Sequence, residues 1–600
     1  MKGIAIGLSN NSKEILKRLK KTEFVKDIYI AGSSKDDGDK NELIQVQKPR
    51  EILLKKWQEI DLIIFIGSIA ASIRIINSFL TSKDQDPGVI VIDNKCSKIV
   101  PLIGLHQSNT QNIACQIANL LGGEIIETNN SNDQSFLNLD AFGNQWGWKR
   151  SGKINDWSKL VIKQAKNEEI FCKQLSGNNL WKNSESGEII NQINEKEIEK
   201  PDSTFHVSIF ENHETTWHPP VLWIGIGCER NTSKELIANS LNNLLESGNL
   251  SQQSIAGFAT IDIKKDEKGI LELSEEKNLP IKFFSKKDLS KIIVPNPSNV
   301  VQKEIGTPSV AEASCLLAAG EESKLLEEKR IFKNQSGAVT IAVAESKNQY
   351  NPTHGEIHII GSGPGDISFL TNNARKALSR CTVWIGYKMY LDLIKPIKRN
   401  DQVLIESKLT EEKERCSKAI KLAEEGIKVA LISSGESGFY GMAGLLLELL
   451  QKIKKEYRPY FEVHPGISSV QLAAAISGAP LMNDFCSVSL SDKLTPWSLI
   501  EKRIEGALVG DFVIALFNPQ SIERNWQLKS VIDICLQSRH GDTPVLIARQ
   551  VGRENQTKKF FTLNTIPFKE IDMLSIIIIG NSQTTLVDEI FLTPRGYLQN

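Results

Sequence analysis

Gly355-Glu356-Ile357-His358-Ile359-Ile360-Gly361-Ser362-Gly363-Pro364-Gly365-Asp366-Ile367-Ser368-Phe369-Leu370-Thr371 reads as a strand, a tight turn and the start of a helix. Ile357, Ile359 and Ile360 supply the apolar run of a short buried strand. The glycines at 361, 363 and 365 let the backbone turn tightly, and Asp366 is placed to cap a helix beginning near Ser368. The spacing is Gly-x-Gly-x-Gly, and Asp366 stands where the dinucleotide fingerprint has its third glycine. On these residues alone, a nucleotide-phosphate site and an ordinary glycine turn closing a strand–helix unit both stay open.

Three further turns follow in order. They are Ser433-Ser434-Gly435-Glu436-Ser437-Gly438-Phe439-Tyr440-Gly441-Met442, then His464-Pro465-Gly466-Ile467-Ser468-Ser469, then Gly478-Ala479-Pro480. With the first stretch they resemble the tetrapyrrole methylases over roughly residues 356 to 590. The resemblance implies two α/β domains, with S-adenosylmethionine as cofactor and a tetrapyrrole substrate held between them, in a homodimer. Carried over position by position, it implies a cofactor lined by Pro364, Gly435, Glu436, Ser437, Tyr440, Ser468, Ser469, Phe517, Asn518, Ala548 and Arg549. Where the family usually has aspartate in the Ser-Gly-Asp turn this chain has Glu436, one methylene longer.

The run Asn483-Asp484-Phe485-Cys486-Ser487-Val488-Ser489-Leu490-Ser491-Asp492-Lys493-Leu494-Thr495-Pro496-Trp497, with Phe517-Asn518-Pro519-Gln520-Ser521 and Ile579-Gly580-Asn581-Ser582, narrows the likeness. It resembles the precorrin-3B or cobalt-factor III carbon-17 methyltransferases of cobalamin biosynthesis, although that family more often has leucine at the position of Lys493. Methyl transfer asks chiefly for an in-line approach in a site that excludes water. Ring contraction adds a proton transfer, for which Asp366, Asp484 and Asp492 are the candidates, each weighed against a plain turn cap. His464 reads as a packed or surface histidine. Arg503, Arg524, Arg549 and Arg553 are cations for a poly-carboxylate substrate, weighed against surface ion pairs.

Composition bounds the rest. Six hundred residues exceed a single core, so several domains are expected. Seventy-two basic side chains balance 72 acidic ones, so there is no global field for nucleic acid or anionic lipid. The nine cysteines form no Cys-x-x-Cys pair, which argues against a disulfide framework and a structural zinc site and fits a reducing cytoplasm. No metal-ligand cluster is visible, and any metal, such as cobalt, would ride in the macrocycle. The most apolar run, Leu62 to Ile73, is shorter than a membrane span and ends at Arg74.

Residues 1–130 alternate apolar strands with helical patterns: Ile4 to Gly7, Lys13 to Leu19, Leu62 to Gly67, Val89 to Asp93, Gln111 to Leu121. That alternation predicts an open α/β sheet. Gly67-Ser68-Ile69-Ala70-Ala71-Ser72-Ile73-Arg74, Asp86-Pro87-Gly88-Val89-Ile90-Val91-Ile92-Asp93 and Pro101-Leu102-Ile103-Gly104-Leu105-His106 resemble the N-terminal part of the cobalt-precorrin-5A hydrolases. Ser108-Asn109-Thr110-Gln111 replaces that family's glycine-rich turn. Arg74, Asp93 and His106 are the residues by which such a region would bind carboxylates and activate water. Residues 131–218 read as a small inserted domain anchored by tryptophans 146, 148, 157, 181 and 217. Residues 219–345, with Gly225-Ile226-Gly227-Cys228-Glu229-Arg230 and Lys264, resemble the C-terminal domain of the same hydrolases. A polar linker at 346–355 precedes the methylase-like region, 356–600. The fold class is thus α/β and multidomain, with hydrolase-like N-terminal domains. Two alternatives stay open: an N-terminal half that is a non-catalytic corrinoid-binding module, and a methylase acting at another corrin carbon.

Overall fold

The computed structural model describes residues 2–22, 24–31, 44–46, 48–81, 86–104, 110–126, 136–193, 201–211, 215–335, 337–521 and 524–597. It divides into two compact units, 1–141 and 142–600.

The first unit is a seven-stranded sheet in the order Ile44–Val46, Asp27–Ile30, Gly3–Gly7, Leu62–Ile66, Gly88–Ile92, Lys98–Ile103, Glu124–Ile125. Its central strands are buried along their whole length, as apolar runs covered on both faces must be. The helix Lys13–Lys20 packs on one face and Pro49–Lys56 on the other. Lys98–Ile103 breaks the parallel order by running antiparallel to Gly88–Ile92.

The second unit opens with a five-stranded sheet built from Lys149–Ser151, Phe171–Gln174, Asn191–Gln192, Thr204–Val207 and Thr216–His218. All five tryptophans of this region are buried. Phe142 sits among the rings of Trp148, Trp181, Phe205 and Trp217 at centroid distances of 5.3–5.8 Å. A cluster of aromatic edges thus replaces the aliphatic core of the larger sheets.

Next comes a sheet ordered Ile281–Phe284, Ile255–Ile261, Leu222–Cys228, Gly337–Glu345, Lys324–Asn334. Gly225 is there for contact: a Cβ on it would lie 1.8 Å from the carbonyl oxygen of Ala311, so helix Ala311–Ala319 can press onto the strand.

Two five-stranded sheets and a small three-stranded one, ordered Gly478–Ala479, Ile590–Leu592, Thr585–Val587, form the C-terminal region. Of the two larger ones, the first is wholly parallel, ordered Val403–Ser407, Val383–Tyr387, Lys428–Ser433, Glu356–Gly361, Tyr460–His464. The second is mixed, ordered Phe485–Ser489, Val513–Phe517, Ser575–Ile579, Pro544–Arg549, Thr557–Thr562. The helix expected near Ser368 is a single 3-10 turn, Ile367–Phe369; the α-helix starts at Asn372 with Thr371 as its cap. Among the described residues no helix is long and apolar enough to cross a membrane.

Candidate functional site

The parallel sheet of the C-terminal region ends its strands in glycine turns, and those turns meet. Ser362 donates its N–H to the Ser433 carbonyl, and Gly363 and Gly435 exchange backbone hydrogen bonds of 2.8 and 3.1 Å. Gly363 and Gly435 hold φ values of 77° and 63°, the left-handed region that glycine enters without penalty. Gly466 closes the group: a Cβ on it would stand 2.0 Å from the Gly435 carbonyl oxygen and 2.6 Å from that of Gly361. Around Gly435 the opposite holds, since the nearest atom to an added Cβ lies 3.8 Å away. The turns therefore form a backbone floor that is tight at Gly361 and Gly466 and leaves room for a Cβ at Gly435, at the carboxyl ends of parallel strands where α/β sheets take ligands.

The walls come from both sheets. Tyr440, at φ 57°, sends its hydroxyl across to the Ser487 carbonyl at 2.9 Å. Its ring lies 5.3 Å from Phe517, and Phe439 lies 5.2 Å from Phe517. Asn518, also left-handed at φ 52°, donates to Ser489 Oγ at 3.0 Å. From the far side Gly552 accepts from Asp366 N at 2.6 Å, and Arg553 Nε donates to the Pro364 carbonyl at 3.3 Å. Burial makes the Arg553 guanidinium a weaker base than usual.

Of the expected cofactor-lining residues, the structure brings together Pro364, Gly435, Glu436, Ser437, Tyr440, Ser468, Phe517 and Asn518 on and around these turns. Ser437 Oγ is buried with no hydrogen-bond partner among the described residues, an orphan donor two residues after Gly435. Glu436 Oε2 is occupied by the Gly438 N–H at 2.7 Å. Ser468 is the N-cap of helix Ser469–Ser477 in a capping box with Gln471, so its hydroxyl is already used. Ala548 is core, and Arg549 is paired with Asp572 at 2.8 Å, which removes it from the free cations.

The acid candidates separate. Asp366 accepts the Ser368 N–H at 2.7 Å, a bond that lowers its pKa, and it is exposed. Asp492 accepts from Gln527 Nε2 at 3.1 Å. Asp484 precedes Phe485–Ser489, so it lies a strand's length, about 15 Å, from Ser489. Among the arginines, Arg503 lies exposed on helix Trp497–Val509, whereas Arg524 is buried, its Nη1 without a hydrogen-bond partner among the described residues. Two further groups near these turns escaped the sequence reading. Tyr390, with a raised pKa from burial, has the Arg553 and Arg415 charges and Ser434 beside it. Arg415 is buried and donates to Ser407 Oγ, the Lys408 carbonyl and Met442 Sδ. Neither carries a motif; only the fold assembles them.

In the first unit Arg74 is exposed on helix Ile69–Ile76. Asp93 receives the Lys98 and Lys95 N–H groups and Ser97 Oγ. His106 lies outside the described residues. In the region after 219, Lys264 and Glu267 form a buried pair at 3.1 Å, Arg230 lies 3.6 Å from the same carboxylate, and Glu229 is exposed.

Residues 356–567 match the family model described as tetrapyrrole (corrin/porphyrin) methylases. The chain is 33% identical over 249 residues to the precorrin-3B C(17)-methyltransferase of a Sinorhizobium species, covering 97% of that protein and 40% of this chain. This chain belongs to the tetrapyrrole methylases. Its methylase region is also 44% identical over 245 residues to the cobalt-factor III methyltransferase of Priestia megaterium; the match takes in 45% of that longer protein and 40% of this chain. The crystal structure of the methyltransferase CobJ is similar at 32% identity and a TM-score of 0.39, over 40% of this chain and all of that one. Ahead of the methylase, residues 51–132 match the model described as cobalamin synthesis G N-terminal, and residues 222–344 that of the cobalamin synthesis G C-terminus.

Proposed function

We propose that the methylase region transfers a methyl group from S-adenosylmethionine to carbon 17 of precorrin-3B or cobalt-factor III, with contraction of the macrocycle. The observation that carries this reading is the meeting of the glycine turns at Gly361, Gly435 and Gly466, flanked by Tyr440, Phe517 and Asn518. Turns with no room for a Cβ at Gly361 and Gly466 suit a ligand held by backbone groups, and the orphan hydroxyl of Ser437, in the same turn as Gly435, fits the polar edge of the cofactor. Bound there, S-adenosylmethionine supplies an electrophilic methyl on a sulfonium. The chain's own residues orient it, exclude water with the aromatic wall, and offer Arg553 and Arg524 to the substrate's carboxylates. Asp366 and Asp492 remain the acid–base candidates. The reading includes a homodimer, and a cytoplasmic setting in which the eight described cysteines stay free thiols. It takes as domains 1–130, 131–218, 219–345 and 356–600.

For the N-terminal half a second reading stands beside hydrolysis, a module that binds corrinoid without hydrolysing it; the Asp93 carboxylate there accepts from three donors of its own turn.

Incubation of the purified chain with S-adenosylmethionine and each of the two substrates, followed by product mass and absorption spectrum, tests the proposal. A gain of one methyl with loss of the porphyrinoid spectrum is expected, and it also reveals which metal state is accepted. Absence of turnover with the cofactor demonstrably bound would overturn the carbon-17 assignment.

A further inference from the structure

The strands Glu356–Gly361 and Tyr460–His464 run side by side in parallel, with His358 opposite Glu462 and Ile360 opposite His464. One face of this pair therefore carries Glu356, His358, Tyr460, Glu462 and His464 in place of the apolar residues a sheet face ordinarily offers to a core. His358 Nδ1 and His464 Nε2 face each other at 2.9 Å, and Glu462 Oε2 lies 3.9 Å from the first and 3.8 Å from the second. His358 and His464 are buried, whereas the Glu462 side chain is 48% exposed. We propose that His358 Nδ1, His464 Nε2 and Glu462 Oε2 bind one divalent transition-metal ion of the zinc type, on the flank of the methylase sheet.

Three observations carry this. First, the donor spacing fits. Bonds of 2.0–2.2 Å in tetrahedral geometry separate neighbouring donors by about 3.4 Å, and the three distances here bracket that value. Second, the tautomers fit. His358 Nε2 lies 2.9 Å from Glu356 Oε2, so that nitrogen carries the hydrogen and Nδ1 presents its lone pair to the ion. Glu356 is in turn held by Arg380 at 2.7 Å and Lys428 at 2.9 Å, which keeps it a carboxylate. This is the carboxylate–histidine–metal relay that orients ligands in built sites. Third, the two ring nitrogens point at one another: without an ion they are joined by one ordinary hydrogen bond, and an ion would take both lone pairs in its place. Two histidines and a carboxylate leave a fourth position, on the side of the exposed Glu462. Because His464 directly precedes Pro465-Gly466, the ion ties the edge strand to its neighbour just below the cofactor turns.

The test uses the full chain without an affinity tag, stripped with chelator and titrated with zinc against a chromophoric competitor, with cobalt(II) as a spectroscopic substitute. The expected result is one tight equivalent, four-coordinate cobalt bands in the visible, and a 10–100-fold loss of affinity in Glu356→Gln. Glu462→Gln, at a half-exposed position, is expected to fold and to lose at least tenfold. Zinc bound with unchanged affinity in Glu462→Gln would assign the metal to cysteines or surface groups and overturn the proposal, as would the absence of a tight equivalent in the parent chain. The double variant His358→Gln/His464→Gln, checked for folding by circular dichroism, is expected to abolish the cobalt bands; bands that persist would overturn it too.

Discussion

At the scale of single residues, the glycines of the cleft floor are not equivalent, and their differences are measurable. Gly466→Ala places a methyl carbon 2.0 Å from a carbonyl oxygen of the same floor, so the turns must separate. A loss of about 3 kcal/mol or more in urea unfolding is expected, together with loss of cofactor binding. Gly435→Ala meets its nearest atom, Ser468 Cα, only at 3.8 Å, an ordinary contact, and bears only the left-handed backbone, so about 1 kcal/mol is expected. Equal losses in the two variants would refute the picture of a floor packed on one side and open on the other. Ser437→Ala removes a hydroxyl that satisfies nothing in the described protein. Its unfolding midpoint should stay within about 0.5 kcal/mol of the parent, while S-adenosylmethionine binding measured by calorimetry weakens about 5–10-fold. A variant that binds as tightly as the parent removes Ser437 from the cofactor site.

At the scale of elements, Ser468, a candidate for lining the cofactor, is the N-cap of helix Ser469–Ser477 in a capping box with Gln471. Ser468→Ala is accordingly expected to cost about 1 kcal/mol of stability, read by thermal unfolding, whether or not ligand is present. Local chemistry of this kind was largely legible in the sequence. The apolar run Ile357–Ile360 and the glycines after it announce a strand and turn, and Lys13 to Leu19 announces the helix found at Lys13–Lys20. Element ends were less legible, because several chemistries compete there. Asp366 does cap, but what it caps is a 3-10 turn, and Thr371 five residues later claims the helix. Groups assembled across distance were not legible at all. His358 and His464 are 106 residues apart, and nothing in either neighbourhood hints that parallel pairing brings their rings to 5.1 Å. Arg415, too, sits in a helix whose charged sequence reads as solvated, yet it is buried against Met442.

At the scale of the whole second unit, the regions are joined by buried polar contacts. Lys282 lies 4.2 Å from the rings of both Trp223 and Tyr350, and burial pushes its pKa down to about 8. Between about pH 8 and the ordinary lysine value of about 10.4 the unfolded chain binds more protons than the folded one, so this residue makes stability rise with pH across that window. Below it the cost of burying the charge is fully present, offset in part by the two aromatic faces. Lys282→Met should therefore lie within about 1 kcal/mol of the parent in denaturant unfolding at pH 7, and its stability should change less between pH 7.5 and 10. A parent and variant with parallel pH profiles would contradict this.

Gln349 makes the same kind of join with neutral groups. Its Oε1 accepts from Trp148 Nε1 at 2.5 Å and Asn178 N at 2.9 Å, and its Nε2 donates to the carbonyls of Trp146 and Glu425. Asn178 also reaches the Glu425 carboxylate at 2.7 Å, and the Asn351 N–H meets the Glu424 carbonyl. One amide, 3% exposed, thus satisfies the tryptophan-rich sheet and the methylase at once. A seam built this way resists exchange. A foreign methylase spliced after residue 355 would bring its own glycine floor intact, yet it would leave the Gln349 amide and Asn178 facing a surface that was never shaped to receive them.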